Sequence, residues 1–463
     1  MENQNIWSKY TKKQQKECEE LCRDYRNFLD AGKTERECVT ETVRMAEEAG
    51  YKDLQKIIAS GKKLKAGDKV YAVNMKKAII MFNLGSKPLE EGMNILGAHI
   101  DSPRIDVKQN PLYESSDLAY LDTHYYGGIK KYQWVTLPLA IHGVLAFKDG
   151  TVKEVCIGEK EDDPVFCITD LLIHLSQEQL EKKASKVIEG EALNILVGNQ
   201  PLKKSAKDKD EETTVKENIL AILKKEYGME EEDFLSAELE VVPAGKAREC
   251  GLDRSMIMAY GQDDRVCAYT SLVAMLKQDK VQTTSCLILV DKEEIGSVGA
   301  TGMQSKFFEN MVAEVLGAMG EYSDLALKRT LAHSQMLSSD VSAAFDPGFE
   351  SAFEKKNAAY LARGMVFNKF TGSRGKSGSN DANAEYFAKL RKIMEDGGVS
   401  FQTAELGKVD LGGGGTIAYI LSLYGMEVVD CGVAVLNMHA PWEIVSKADV
   451  YETMRGYLAF INR

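Results

Sequence analysis

The sequence predicts an α/β protein with a central mixed, mainly parallel sheet covered by helices and a β-rich domain inserted into it. Three observations carry this. Cys286 to Val290 is apolar without a break, as expected of a strand buried on both faces in the middle of a sheet. Strand-like and helix-like segments alternate on either side of residues 104–245. Between those bounds the texture changes to short β-rich runs separated by turn residues. The chain has 463 residues and is 44% hydrophobic, enough for a principal domain (1–103 and 246–463) with an insertion (104–245).

Taken in order, Trp7 to about Ile58 reads as helical, with Cys18, Leu21, Cys22, Tyr25 and Leu29 at helical spacing among charged residues. Lys69–Val73 and Ala78–Asn83 read as hairpin strands, and Asn94–Ile100 opens the central sheet. Within the insertion, Val144–Gly150 and Val152–Ile157 read as β structure, Tyr125–Gly128 as a turn, and Ile168–Leu175 as the start of a helix. Lys203–Glu212 mixes charges and has nothing to bury, so it reads as a solvated excursion. Alternation then resumes, with a strand at Ser255–Tyr260 and helices at Arg265–Leu276 and about Phe307–Met319.

Bulk properties exclude several functions. No run of about eighteen apolar residues appears, and Met1–Asn5 lacks a signal-peptide profile, so neither a membrane span nor secretion is expected. Nine cysteines without a C-x-x-C pair suit a reducing cytosol. A net charge of −12 argues against nucleic acid as a partner, since phosphates demand a basic stripe.

Function gathers where apolar runs end, because ligands of open α/β sheets bind at the carboxyl ends of strands. Asn94–Ala98 is followed by His99 and Asp101, and Met256–Tyr260 by Asp263, Asp264 and Arg265. Leu287–Val290 leads to Asp291, Glu293 and Glu294, then to the turn-prone Gly296–Gly302. Met336–Ser339 leads to Asp340, and Val433–Met438 to His439. Each alone has an ordinary reading as a structural histidine, a helix cap or a solvated acidic loop. Five together, drawing two of only six histidines, point to metal ligation at one sheet edge. Mixed histidine and carboxylate donors suit Zn²⁺, with Mn²⁺ or Co²⁺ as alternatives. The donor count exceeds one tetrahedral ion with an open site and suits two ions roughly 3.5 Å apart.

Gly97–Arg104, Gln262–Arg265, Asp291–Ser297, Ser339–Asp340 and Asn437–Pro441, in this order, resemble the aspartyl aminopeptidase and vacuolar aminopeptidase I family of zinc metallopeptidases. The likeness spans most of the chain, including the insertion after the first histidine. It implies a zinc-exopeptidase fold and an aminopeptidase that removes N-terminal residues from short peptides. By the same likeness, His99, Asp263, Glu294, Asp340 and His439 are ligands of two divalent ions, with Asp263, in preference to Asp264, bridging. Glu293 is implied as general base, and Asp101 as the carboxylate that fixes the His99 ring. A cytosolic homo-oligomer, a tetrahedral dodecamer with the insertion at subunit contacts, is implied as well. The rival readings are a metal-dependent deacylase or carboxypeptidase, and a non-catalytic shell protein of the same fold.

Secondary features follow from the same comparison. His174 matches a histidine that recurs in the family, either metal-associated or reaching a neighbouring subunit's site; its ordinary alternative is a buried helix histidine. Asn368–Asn380 is a basic, Gly/Ser-rich loop able either to cover a substrate or simply to serve as a flexible connection, with Lys369 a candidate substrate contact. Leu411–Thr416 precedes a helix, so Gly413, Gly414 and Thr416 are candidates for holding a carbonyl or carboxylate. Acid-selective relatives place a histidine where this chain has Ala343, which argues for a neutral or apolar preference.

Overall fold

A computed structural model describes residues 4–203, 213–372 and 377–463. Most of the 203–212 charged run, and the centre of the 368–380 loop, lie outside the described residues. The chain divides into two units: one of Met1–Ser102, Ala247–Met438 and Glu443–Arg463, the other of Pro103–Lys246 with His439–Trp442.

In the first unit a nine-stranded sheet runs in the spatial order Lys52–Asp53, Lys69–Asn74, Ala78–Asn83, Ser285–Val290, Asn94–His99, Gln335–Ser339, Glu427–Gly432, Met365–Asn368, Phe401–Thr403. Five of its eight neighbouring pairs are parallel, and the three central strands are parallel to one another. The unbroken apolar run is thereby explained. Leu287 and Leu289 point into one core, with the helices Lys12–Ala31, Gln262–Leu276 and Lys447–Ile461. Cys286, Ile288 and Val290 point into the other, with Phe307–Met319 and Asp324–His333. A strand sandwiched in this way leaves no face for polar residues, and each large side chain it buries contributes about 1.5–3 kcal/mol.

Local chemistry starts the helices where the sequence allows. Thr11 and Gln14 form a capping box ahead of Lys12–Ala31, as Thr34 and Glu37 do ahead of Glu35–Glu48. In Lys12–Ala31 the residues Cys18, Leu21, Cys22, Tyr25, Phe28 and Leu29 form the buried stripe. Gln262–Leu276 is different, being buried on every side, and its Arg265 guanidinium is 1% exposed. That charge donates to the carbonyls of Lys33 (2.9 Å) and Ile100 (3.3 Å) and lies over the Tyr260 ring.

The sequence reading needs one correction of topology. Met256–Ala259 and Ala434–Leu436 do not end at the edge of the large sheet; they belong to a second, five-stranded sheet with Arg248–Cys250, Glu443–Ser446 and Ser342–Ala343. Short apolar runs reveal strands but not their neighbours, and pairing is settled by contacts distant in sequence.

The second unit is built on a six-stranded antiparallel sheet ordered Val152–Ile157, Leu139–Ala146, Ala237–Pro243, Arg104–Ser115, Leu118–Tyr126, Ile195–Gly198. Its helix Val215–Tyr227 is capped by Thr214 and Glu217 and ends at Gly228, whose φ of +68° suits a residue without a side chain. Ile168–Leu175 does not start a regular helix. It runs irregularly into one 3-10 turn at Ile173–Leu175, with Leu172, Ile173 and Leu175 between 53% and 68% exposed. With apolar side chains on successive positions there is no single stripe to lay against a core. His174 is exposed too, so it is not a buried helix histidine. Among the described residues no helix is long and apolar enough to cross a membrane.

Candidate active site

Three neighbouring strands of the large sheet deliver the chemistry. Asn94–His99 lies between Ser285–Val290 and Gln335–Ser339, all parallel, so their carboxyl ends share one edge. His99 is the last residue of the middle strand, in register with Val290. Glu293 and Glu294 follow Val290 on a 3-10 turn, and Asp340 follows Ser339. Asp263 and Asp264 come from the first turn of the buried Gln262–Leu276 helix, where both depart from helical geometry and are joined by a cis peptide bond.

His99 is the centre of this group. Its Nδ1 lies 3.0 Å from the Asp101 carbonyl and 3.2 Å from Asp101 Oδ1. Its Nε2 lies 3.3 Å from Asp263 Oδ1 and 3.8 Å from Glu293 Oε2. Ligand atoms of His99, Asp263 and Asp340 all lie within 4.8 Å of one another, as do those of His99, Glu293 and Glu294. Asp101, fully buried, also accepts the backbone N–H groups of Glu293 (3.1 Å) and Glu294 (3.2 Å). One carboxylate therefore orients both the imidazole and the turn that carries the two glutamates. Asp263 is held by its backbone: its N–H donates to Glu443 (2.9 Å), and its carbonyl accepts from Ser102 (2.7 Å).

The electrostatics are those of a site built around positive charge. Burial pushes the Asp264 carboxyl well above its ordinary range, with neighbouring Asp263 adding to it. Asp340 is raised by burial and by Asp264. Burial works to lower His99, yet Asp101, Asp263 and Glu293 outweigh it and hold the imidazole well above its usual value. Both Asp264 oxygens are buried with no full hydrogen bond among the described residues, only the Cys267 thiol alongside as a weak donor. So many carboxylates around one imidazole are unfavourable together unless a cation joins them. Nitrogen and oxygen donors in this number fit divalent zinc-like ions.

The remaining predicted residues are placed as follows. His439 follows Ala434–Leu436 and clusters with the second unit, where its Nδ1 is 2.8 Å from the Gly128 carbonyl. Lys369 stacks its ammonium on Phe370, 4.7 Å from the ring centre. The Thr416 hydroxyl donates to Asp430, which also accepts from Thr371 and Asn380. The helix after Gly413 and Gly414 is only Ala418–Ser422, too short for an appreciable macrodipole. Sequence reasoning passed over Glu443, Ser102 and Thr301. Nothing in the sequence assigned any of the three a role of its own, because each acts through contacts made only in the folded chain.

A cluster of histidine and carboxylate donors at the carboxyl edge of a helix-covered, mainly parallel sheet defines a metal-dependent hydrolase. Comparison with known proteins narrows the class. The aminopeptidase I zinc metalloprotease (M18) family matches residues 28–461, and the chain belongs to it. The probable M18 family aminopeptidase 1 of Clostridium acetobutylicum is 64% identical over 461 residues, covering 100% of this chain and 98% of that protein. The crystal structure of an M18 aminopeptidase from Thermotoga maritima has a TM-score of 0.93 at 44% identity, covering 100% and 99% of the two chains. The S. cerevisiae mApe1 dodecamer shares the fold at 20% identity, with a TM-score of 0.74 and 95% of each chain covered. The protein is a metallo-aminopeptidase, a hydrolase acting on peptide bonds.

Proposed function

We propose that this aminopeptidase removes N-terminal residues from short peptides in the cytosol, using two divalent ions, Zn²⁺ first among them. The carrying observation is the crowding of Asp263, Asp340, Glu293 and Glu294 around one imidazole, more negative charge than a single divalent ion balances. His99 and Asp340 would hold one ion and Glu294 the other, with Asp263 shared, and the family resemblance adds His439 to the second set. The His439 Nδ1, donating to a carbonyl, sets the tautomer whose Nε2 carries the lone pair. Bound ions would lower the pKa of water toward about 7 and polarise the scissile carbonyl.

The chain's own groups divide the remaining work. Glu293 is the general base: it takes a proton from the attacking water and returns it to the leaving amine. Its backbone N–H is tied to Asp101, so its carboxylate is held in place before substrate arrives. Asp101 also keeps His99 in the tautomer with Nε2 turned toward Asp263. Ala343 leaves no cation at the position where acid-selective relatives carry one, which supports a neutral or apolar first residue. The exposed apolar run flanking His174 supports subunit contact through the insertion, in a homo-oligomer of the dodecameric kind described for the yeast relative.

Mass spectrometry of a peptide library, in free-amine and N-acetylated forms, tests this reading. Loss of one residue from free-amine peptides only is expected, with two zinc ions per subunit by elemental analysis. Glu293→Gln should lower kcat by about 10²–10⁴ with zinc retained. Turnover of acetylated substrates would favour a deacylase instead. No turnover by the zinc-loaded wild type would favour a shell protein.

A further inference from the structure

Of the three carboxylates that close the central strand, Glu293 and Glu294 have roles and Asp291 has none. Asp291 is 1% exposed, a costly place for an anion. Its Oδ2 accepts from the Thr301 hydroxyl at 2.6 Å and from Lys292 Nζ at 2.8 Å. Its backbone N–H donates to the Thr301 carbonyl at 3.2 Å. Thr301, itself 4% exposed, is thus gripped through side chain and backbone, which closes the intervening segment into a loop.

The segment so closed carries the two glutamates. Within it the Ser297 N–H donates to the Lys292 carbonyl at 2.6 Å, and Lys292 adopts a φ of +70°. The Lys292 stem runs beneath Gly299, where an added Cβ would lie 3.1 Å from its Cδ and Cε. Gly302 leaves even less room, its added Cβ falling 2.3 Å from the Ser297 carbonyl oxygen. Asp101 holds the same turn from outside through the Glu293 and Glu294 amides. The second Asp291 oxygen is buried with no hydrogen-bond partner among the described residues, and Glu35 and Asp101 are its negative neighbours. A group needed only for folding would be better replaced by a neutral one there.

We propose that Asp291 and Thr301 form a positioning clamp that sets the Glu293–Glu294 turn, so that metal affinity and turnover depend on a contact touching neither metal nor substrate. The inference rests on the roles proposed above for Glu293 and Glu294. Groups that orient metal ligands are worth about 10–100-fold in affinity or activity.

The experiment uses the full chain with Asp291→Asn, Thr301→Val, Thr301→Ser and Glu293→Gln. Zinc affinity is measured by chelator competition, and kcat and KM on an uncharged aminoacyl anilide. Thr301→Val should weaken zinc binding or lower kcat about 10–100-fold, with KM changed less than about twofold. Thr301→Ser, which keeps the hydroxyl, should restore both to within about threefold of wild type. Asp291→Asn should follow Thr301→Val, and the valine–serine pair decides the matter if the asparagine variant does not fold. The clamp is overturned if Thr301→Val lowers only the thermal midpoint, or if Thr301→Ser behaves like it. Wild-type kcat in Glu293→Gln would sink the general-base reading instead, while an inactive Glu293→Gln beside an unaffected Thr301→Val would sink the clamp alone.

Discussion

Replacing Asp101 by asparagine should weaken zinc binding and turnover together. The two Asp101 oxygens accept one backbone N–H each, from Glu293 and Glu294, and Oδ1 also faces the His99 ring. Asparagine has one carbonyl oxygen, so its NH₂ must confront an N–H donor. One buried amide is then left without an acceptor, at about 1–3 kcal/mol. Loss of the negative charge also removes support for the imidazole, while it relieves repulsion with Asp291. Taken as a loss of turn geometry, 1.4–2.8 kcal/mol corresponds to about 10- to 100-fold, at 1.36 kcal/mol per factor of ten. Chelator competition reads the affinity and steady-state kinetics the rate, with circular dichroism confirming the fold. A correctly folded Asp101→Asn enzyme within twofold of wild type in both would refute the view that this carboxylate holds the site together.

Two further perturbations test the frame around the site. Gly261→Ala should cost about 2–5 kcal/mol, because its Cβ would fall 2.1 Å from the Arg265 guanidinium at a φ of +70°. Urea unfolding checks this, and an unchanged midpoint would mean that the guanidinium moves aside at no cost. Asp449 is fully buried and accepts from the Ala362 and Gly364 amides at 2.7 Å, and burial raises its pKa from 3.8 to about 7. Because the folded value is the higher, its contribution to stability is complete below about pH 4 and is lost as pH rises through about 7. Asp449→Asn should therefore flatten the fall in urea midpoint between about pH 4 and 7, and parallel wild-type and variant profiles would contradict this.

The parts of this protein that were legible in its sequence are those written in local chemistry. An unbroken Cys286–Val290 run announces a strand with two cores, and Cys18, Leu21, Cys22, Tyr25 and Leu29 at helical spacing announce the buried stripe of Lys12–Ala31. What was not legible depends on partners far along the chain. Met256–Ala259 looks like any other strand, and only its pairing with Glu443–Ser446 assigns it to the smaller sheet. Ile168–Leu175 is apolar enough for a helix but lacks the one-sided stripe that would bury it. The Thr416 hydroxyl donates to Asp430, a partner that nothing beside Thr416 in the chain announces. Glu443 gave no warning at all, since a single acid opening a strand is commonplace.

The order in which the central strands arrive has a bearing on synthesis. His99 sits between neighbours whose acids, Glu293 and Asp340, are encoded about 190 and 240 residues later. At about 5–20 residues per second, a nascent chain waits on the order of tens of seconds for them. Throughout that interval the emerging polypeptide has His99 and Asp101 but lacks Glu293, Glu294 and Asp340, so the cluster around His99 is incomplete. A strand order that interleaves early and late segments thus ties completion of the cluster to synthesis of the later half of the chain.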